Sequence, residues 1–265
     1  MTFLPYLYIM KTKIMVSLAY RFDVIANVLV QAVVLAAAVF FWKAVYADQS
    51  MVADTTLNQM IDYAIITLLL STLYSTSVED EINANIKQGN VALDFLKPAS
   101  IMGMYFASDI GIVIGNLFMK MVPLLLFAGL FFGLPAPVSV AAFVLFLCSS
   151  CLGFLILWII NAMFGLFSFW VIELGPVGLI KRHIINLLSG MMIPLWFLPF
   201  GLEGWLRYLP FVHIYQTPIS IYIGKMEMEE AYFSLIIQVV WLGILFACFC
   251  ALQKRAYKNV IIQGG

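Results

Sequence analysis

An all-α polytopic membrane protein with six transmembrane helices is the fold class this sequence predicts. Three observations carry it: composition, six apolar runs of crossing length, and the placement of basic residues. The 265 residues are 64% hydrophobic and only 11% charged, where a soluble domain is about half apolar and about a quarter charged. So apolar a chain cannot present its whole surface to water. Its net charge is zero, which offers nothing to a nucleic-acid partner.

A span needs about 20 apolar residues. Runs of that order occupy 24–45, 57–78, 110–132, 138–160, 184–200 and 232–252. Before them, residues 4–21 place Lys13, Ser17 and Arg21 at i, i+4 and i+8, with Ile14, Met15 and Leu18 on the other side. This is the pattern of an amphipathic helix lying in the interface. "FLPYLYIM" is short, is followed by lysines and has no small-residue cleavage site, so it does not resemble a signal peptide. "GLPAP" makes a tight turn between the third and fourth runs. Residues 201–230 are broken by Gly201, Gly204, Pro210, Pro218 and Gly224. Their apolar pieces are too short to cross, and irregular backbone at membrane depth must be covered by protein or a cavity. A re-entrant hairpin of short helices before the last span satisfies both conditions, with Trp196, Trp205 and Tyr208 near the headgroups.

With both termini in the cytoplasm, ten of the fourteen basic residues fall inside: Lys11, Lys13, Arg21, Lys87, Lys97, Lys181, Arg182, Lys254, Arg255 and Lys258. Lys43, Arg207 and Lys225 fall outside and Lys120 within a span. The opposite orientation would reverse the bias. Residues 161–180 are apolar enough for a seventh span, but that would put "QKRAYKN" outside. A long fourth helix, or an interfacial piece carrying Trp170 and Glu173, agrees better with the charges, and Gly175-Pro176 then breaks the helix before the fifth span.

Little of the chain suggests chemistry. There is no G-x-x-x-x-G-K-[ST] and no G-x-G-x-x-G, so the chain itself is not expected to bind a nucleotide. His183 and His213 stand in different segments and read as interface residues, since metal sites need clustered ligands. Cys148, Cys151, Cys248 and Cys250 sit in apolar runs, where thiols act as small hydrophobes. Catalytic, cofactor and metal residues are therefore not expected. Lys120 lies inside the third run, where a charge marks a functional site by default, although its stem can snorkel to the interface. Asp109, eleven residues earlier, is about 16 Å away along a helix, too far to pair with it. The spacings Gly111–Gly115 and Gly129–Gly133 permit close helix approach. Together with Lys120 they are candidates for a translocation path or a subunit interface.

The loop at 79–103 is the most informative stretch. "VEDEINANIKQGN" reads as a short helix stopped by Gly89, and Pro98 forbids a helix through "VALDFLKPAS". Glu79, Asp80 and Glu81 open it, while Ile82 and Ile86 share a face at i, i+4. Read from the residues alone, the loop is either a solvated connector or a docking element for a cytoplasmic partner.

A resemblance separates those readings. "INANIKQGNVALDFLKPAS" is similar to the corresponding loop of the permease subunits of type 2 ABC exporters. "FSFWVIELGPVGLI" and "LLSGMMIPLWFLPFGLEGWLRYLPFVHIYQTPISIYIG" resemble the same family. Its landmarks stand in order at Ser189-Gly190, Pro194, Phe197 to Pro199 and Leu209 to Phe211. The resemblance covers nearly the whole chain and is closest to the six-span subfamily that includes drug, viologen and antibiotic exporters. It implies that 4–21 is an elbow helix and 79–103 a cytoplasmic coupling loop. Glu79, Asp80, Glu81, Ile82, Ile86, Gly89, Asp94, Lys97 and Pro98 would meet a separate ABC ATPase. It further implies two ATPase copies holding ATP and Mg, a second permease that is identical or homologous, and a bacterial plasma-membrane location. The cargo would be an amphipathic or hydrophobic small molecule. A lipid or glycolipid floppase of the same build is the alternative within the family. Outside it, an ion-coupled secondary transporter lacks the inverted repeat of interrupted spans and an acidic relay. A membrane-embedded enzyme lacks paired catalytic residues.

Overall fold

The computed structural model describes residues 4–90, 97, 99–171, 175–199 and 202–258. Helix α1 (Leu4–Ala19) leads through a kink at Tyr20 into α2 (Arg21–Val45). A small hairpin follows, β1 (Met51–Val52) antiparallel to β2 (Thr55–Thr56), turned by Ala53 and Asp54 at φ 49° and 54°. Two left-handed residues match the twist of a two-residue turn. A capping box between Thr56 and Gln59 starts α3 (Leu57–Leu73) by satisfying otherwise orphaned N–H groups. Then come α4 (Val78–Lys87), α5 (Ile101–Asn116), a π turn (Leu117–Met121), α6 (Val122–Phe131), α7 (Val140–Phe167) and α8 (Gly175–Leu188). The last elements are a 3-10 turn (Leu195–Phe197), α9 (Leu202–Leu206), α10 (Gln216–Tyr222) and α11 (Met228–Lys258).

The fold is all-α apart from the hairpin. Among the described residues, five helical stretches are long and apolar enough to cross a membrane: Arg21–Val45, Leu57–Lys87, Ile101–Phe131, Val140–Phe167 and Met228–Lys258. The β hairpin marks one end of the bundle and α4 the other. Leu35, Ile65 and Leu124 seal α2, α3 and α6 together. A larger core gathers α3, α4, α7 and α10 around Ile156, Leu166 and Ile214. Residues 212–223 are buried throughout. They run from the hairpin end to mid-bundle, where His213 and Ile214 meet Gly153, and return to Gln59 at Ile223. Gly153 admits them: a Cβ there would stand 2.8 Å from the Ile214 carbonyl and 2.9 Å from that of His213.

Some boundaries differ from the sequence expectation. The helix expected over 184–200 occupies 175–188 instead. Gly190, at φ 78°, turns the chain, and Pro194 has no N–H with which to resume a helix. The segment still runs the depth of the bundle as a broken helix, from Lys181 beside Glu79 to Phe197 stacked on Trp42 at 5.2 Å. Gly175-Pro176 begins α8 rather than ending a helix, the usual position for a proline in a first turn. The third span starts at Ile101, capped by Ser100, not at 110. α7 continues beyond 160 as far as Phe167, its 28 residues reaching about 42 Å. Trp170 is exposed just beyond it, and Glu173 lies outside the described residues.

α1 packs along α5 on a stripe of small residues. A Cβ on Gly103 would meet the Tyr6 ring at 2.9 Å, on Gly111 the Met10 carbonyl at 2.8 Å, and on Gly115 the Ser17 hydroxyl at 2.5 Å. The Gly111–Gly115 spacing therefore serves an interface inside the chain. Lys13 and Ser17 face this seam, while Met15 and Leu18 are 56% and 50% exposed. The polar stripe turns inward and the apolar side outward, the reverse of a helix on a soluble domain. Leucine at Gly111 must push α1 off α5, at a cost of about 1–3 kcal/mol. Limited proteolysis should then cut ahead of Arg21 in the variant and spare the wild type; equal protection would refute the seam.

Candidate functional site

The site is built on α4. Its first turn carries Glu79, Asp80 and Glu81, where acidic side chains complement the helix dipole. Its last turn closes in a Schellman motif, with Asn90 N–H donating to the Asn85 carbonyl at 2.9 Å and Gly89 N–H to that of Ile86 at 3.1 Å. This requires the left-handed backbone that Gly89 supplies at φ 71°.

Much of the acidic and apolar surface of α4 turns inward. Ile82 is buried on Gly165 of α7, where a Cβ would come within 2.9 Å of its Cδ1. Ile86 packs at the core's edge. The Lys13 ammonium donates to Glu81 Oε1 at 2.7 Å, and the Ser108 hydroxyl reaches the same oxygen at 3.2 Å. Glu79 pairs with Lys181 of α8, whose ammonium also donates to Asn161 Oδ1 at 2.7 Å and lies 5.0 Å from the Phe164 ring centroid. Asn161 in turn donates to the Thr76 hydroxyl at 2.8 Å. The Lys181 side chain is only 8% exposed and that of Glu79 19%.

At the foot of α4 stands Asp109, fully buried. Its Oδ1 accepts from Ser77 N–H at 2.6 Å and lies 2.7 Å from the Ser77 hydroxyl. That hydroxyl is also 3.0 Å from Glu81 Oε1. Oδ2 accepts from Trp158 Nε1–H at 2.9 Å. One carboxylate thus ties α5 to the start of α4 and to the middle of α7. Outward there remains a ridge of Asp80, Ala84, Lys87, Gln88 and Gly89. Beside α4 a cavity of about 360 Å³ opens between α3, α4, α7 and α8, with Tyr74, Tyr215 and Met191 on its apolar walls and Glu79, Asp80, Asn161, Lys181 and Arg182 among its polar groups.

The structure brings only part of the sequence-predicted set together on one surface. Asp80 and Gly89 are outward; Glu79, Glu81 and Ile82 are turned inward as clamps, because their partners on α8, α1 and α7 meet them there. Lys97 is exposed, and Asp94 and Pro98 lie outside the described residues. Lys120 is half-buried in the π turn, away from α4, and makes no ion pair among the described residues. Gly129 and Gly133 shape the turn after α6: a Cβ on Gly129 would meet Leu134 at 2.9 Å, and Gly133 has φ 95° with open space around it. His213 is buried rather than interfacial, with Nδ1 2.9 Å from the Thr217 hydroxyl. Cys148 and Cys151 are exposed on α7.

Sequence reasoning missed Lys181, Asn161, Ser77 and Trp158. Each lies far along the chain from its partner, so no spacing connects them. Asp109 did leave a signal, as an isolated acid at the head of an apolar run.

The family described as ABC-2 family transporter protein matches residues 32–258. That range takes in α4, its clamps on α7 and α8, and the cavity, and leaves α1 outside. Comparison with curated proteins gives no match.

Proposed function

Because the chain belongs to the ABC-2 transporter family, we infer that it is the permease subunit of an ATP-driven exporter and that α4 is its contact with the motor. The observation that carries this is the division of α4 into an exposed ridge and a clamped inner face. A separate cytoplasmic ATPase, holding ATP and Mg, would seat on Asp80, Ala84, Lys87 and Gln88. Closure of two such ATPases moves α4. Three connections pass the movement on: Glu79–Lys181 to α8, Glu81–Lys13 to α1, and Ser77–Asp109–Trp158 to α5 and α7. The first of these also moves a wall of the 360 Å³ cavity. With its aromatic and polar lining the cavity suits an amphipathic or hydrophobic small molecule, taken from the cytoplasm or the inner leaflet. The excess of basic residues at the α4 end supports a cytoplasmic position for that end and for both termini, and the membrane would be a plasma membrane of bacterial type. A second permease, the same or homologous, completes the unit.

The ridge can be tested without touching the clamps. Lys87→Glu combined with Ala84→Trp should lower copurification of the coexpressed ATPase, and cargo-stimulated ATP hydrolysis, by about tenfold or more, as expected for centrally placed contact residues. The variant should keep its wild-type elution volume in detergent. Retention of full ATPase binding and stimulation would remove α4 as the docking element.

A further inference from the structure

A second cavity, of about 180 Å³, lies at the hairpin end between the re-entrant segment and α11. Nothing in the proposed motor coupling uses it. We infer that it is a binding site for the phosphate headgroup of a phospholipid in the leaflet at that end.

Its hydrogen-bonding capacity is unspent. Trp196 lines the cavity, and its buried indole N–H has no hydrogen-bond partner among the described residues. His213, only 2% exposed, also lines it, with the Arg207 backbone beside it, and its Nε2 makes no hydrogen bond of ordinary geometry among the described residues. Among the described residues the Ser234 hydroxyl finds only the Met226 sulfur, at 3.6 Å, a weak acceptor. The Trp196 and Ser234 donors lack oxygen partners among the described residues, which calls for a ligand rich in acceptors.

Charge selects which ligand. Two cations, Arg207 and Lys225, and one carboxylate, Glu230, line the cavity, so an anion is the complement. Lys225 spends two donors on the Ala53 and Asp54 carbonyls, at 3.0 and 2.9 Å, and has a third to offer. Arg207 meets Glu230 at 3.4 Å with most of its guanidinium donors left. The seats that an organic cation would take are already filled from within: Lys225 lies 5.7 Å from the Trp196 ring centroid and Arg207 rests on Glu230.

Position selects the source. The exposed rings of Trp205 and Tyr208 flank this end, as aromatic residues do at headgroup level. On α11, Phe233 and Ile237 line the cavity, and the same helix face continues through Val240 and Ile244, 53% and 47% exposed. The cavity therefore opens onto an apolar track along which an acyl chain can lie.

Native mass spectrometry of the delipidated full chain tests this with three probes: a long-chain phosphatidylglycerol, the matching diacylglycerol, and inorganic phosphate. One phosphatidylglycerol should be retained. Trp196→Phe keeps the ring but removes the donor, and Lys225→Gln removes a charge; each should weaken retention by about tenfold. Glu230→Gln frees Arg207 and should tighten it, a gain that misfolding cannot imitate. Retention unchanged in all three variants overturns the assignment. Equal retention of diacylglycerol removes the role of phosphate, and inorganic phosphate held as tightly as the lipid makes this a free-anion site instead.

Discussion

Replacing Lys181 with methionine should destabilise the bundle by about 3–5 kcal/mol, the usual consequence of stranding a buried charge. Glu79 is 19% exposed on its side chain and pairs with no other cation among the described residues, so it would lose that counter-ion, and Asn161 would lose a donor. α8 would also lose one of its two buried residues, Ile185 being the other. Denaturant unfolding in detergent measures the loss. The double variant Lys181→Met with Glu79→Leu should regain much of it, because an apolar pair of similar size replaces an ion pair at little net cost. If Lys181→Met unfolds at the wild-type midpoint, the clamp carries no weight. The double variant is the more informative for function: stable again, yet with α8 unlinked from α4, it should hydrolyse ATP while export falls.

Asp109→Ala should cost about 3–5 kcal/mol, since hydrogen bonds to a charged group contribute about 1.5–3 kcal/mol each and two buried N–H donors, on Ser77 and Trp158, would be left without an acceptor. Asp109→Asn keeps an oxygen for Ser77 but turns an amide donor toward the Trp158 indole, so a smaller loss of about 1–2 kcal/mol is expected. In a background where the other five of the six tryptophans are phenylalanine, Trp158 fluorescence reports on the site, because its N–H exchanges a carboxylate for an amide or an empty space. An unchanged emission maximum in both variants, with unchanged unfolding, would show that the carboxylate does not hold α7 to α4.

Much of the architecture is written in local pattern. Gly89 stops α4 because only its left-handed backbone lets Asn90 reach the Asn85 carbonyl. Gly190 and Pro194 keep the chain beyond α8 from continuing as a helix, though the apolar count over 184–200 gave no hint that the helix would lie nine residues earlier, at 175–188. Apolar runs register solubility in lipid, and a broken helix dissolves there as readily as a whole one when its free backbone groups are covered. Gly111 and Gly115 announced a close helix contact, but its partner, α1, became known only from the fold.

The acidic triplet shows where sequence runs out. Glu79, Asp80 and Glu81 are consecutive and look equivalent, and helical spacing points them in three directions about 100° apart. One meets Lys181, one stays exposed, and one meets Lys13. The partners lie 102 and 68 residues away, beyond any periodicity. What the sequence by itself determined is the material: a lipid-soluble, all-helical chain, its breaks and turns, and a polar helix between two spans. These follow from transfer free energies and backbone sterics, which act residue by residue. Only the tertiary structure decided which polar groups are spent on holding helices together and which stay free for a partner. That depends on which side chains meet across the bundle, and a buried charge finds its partner in space rather than along the chain.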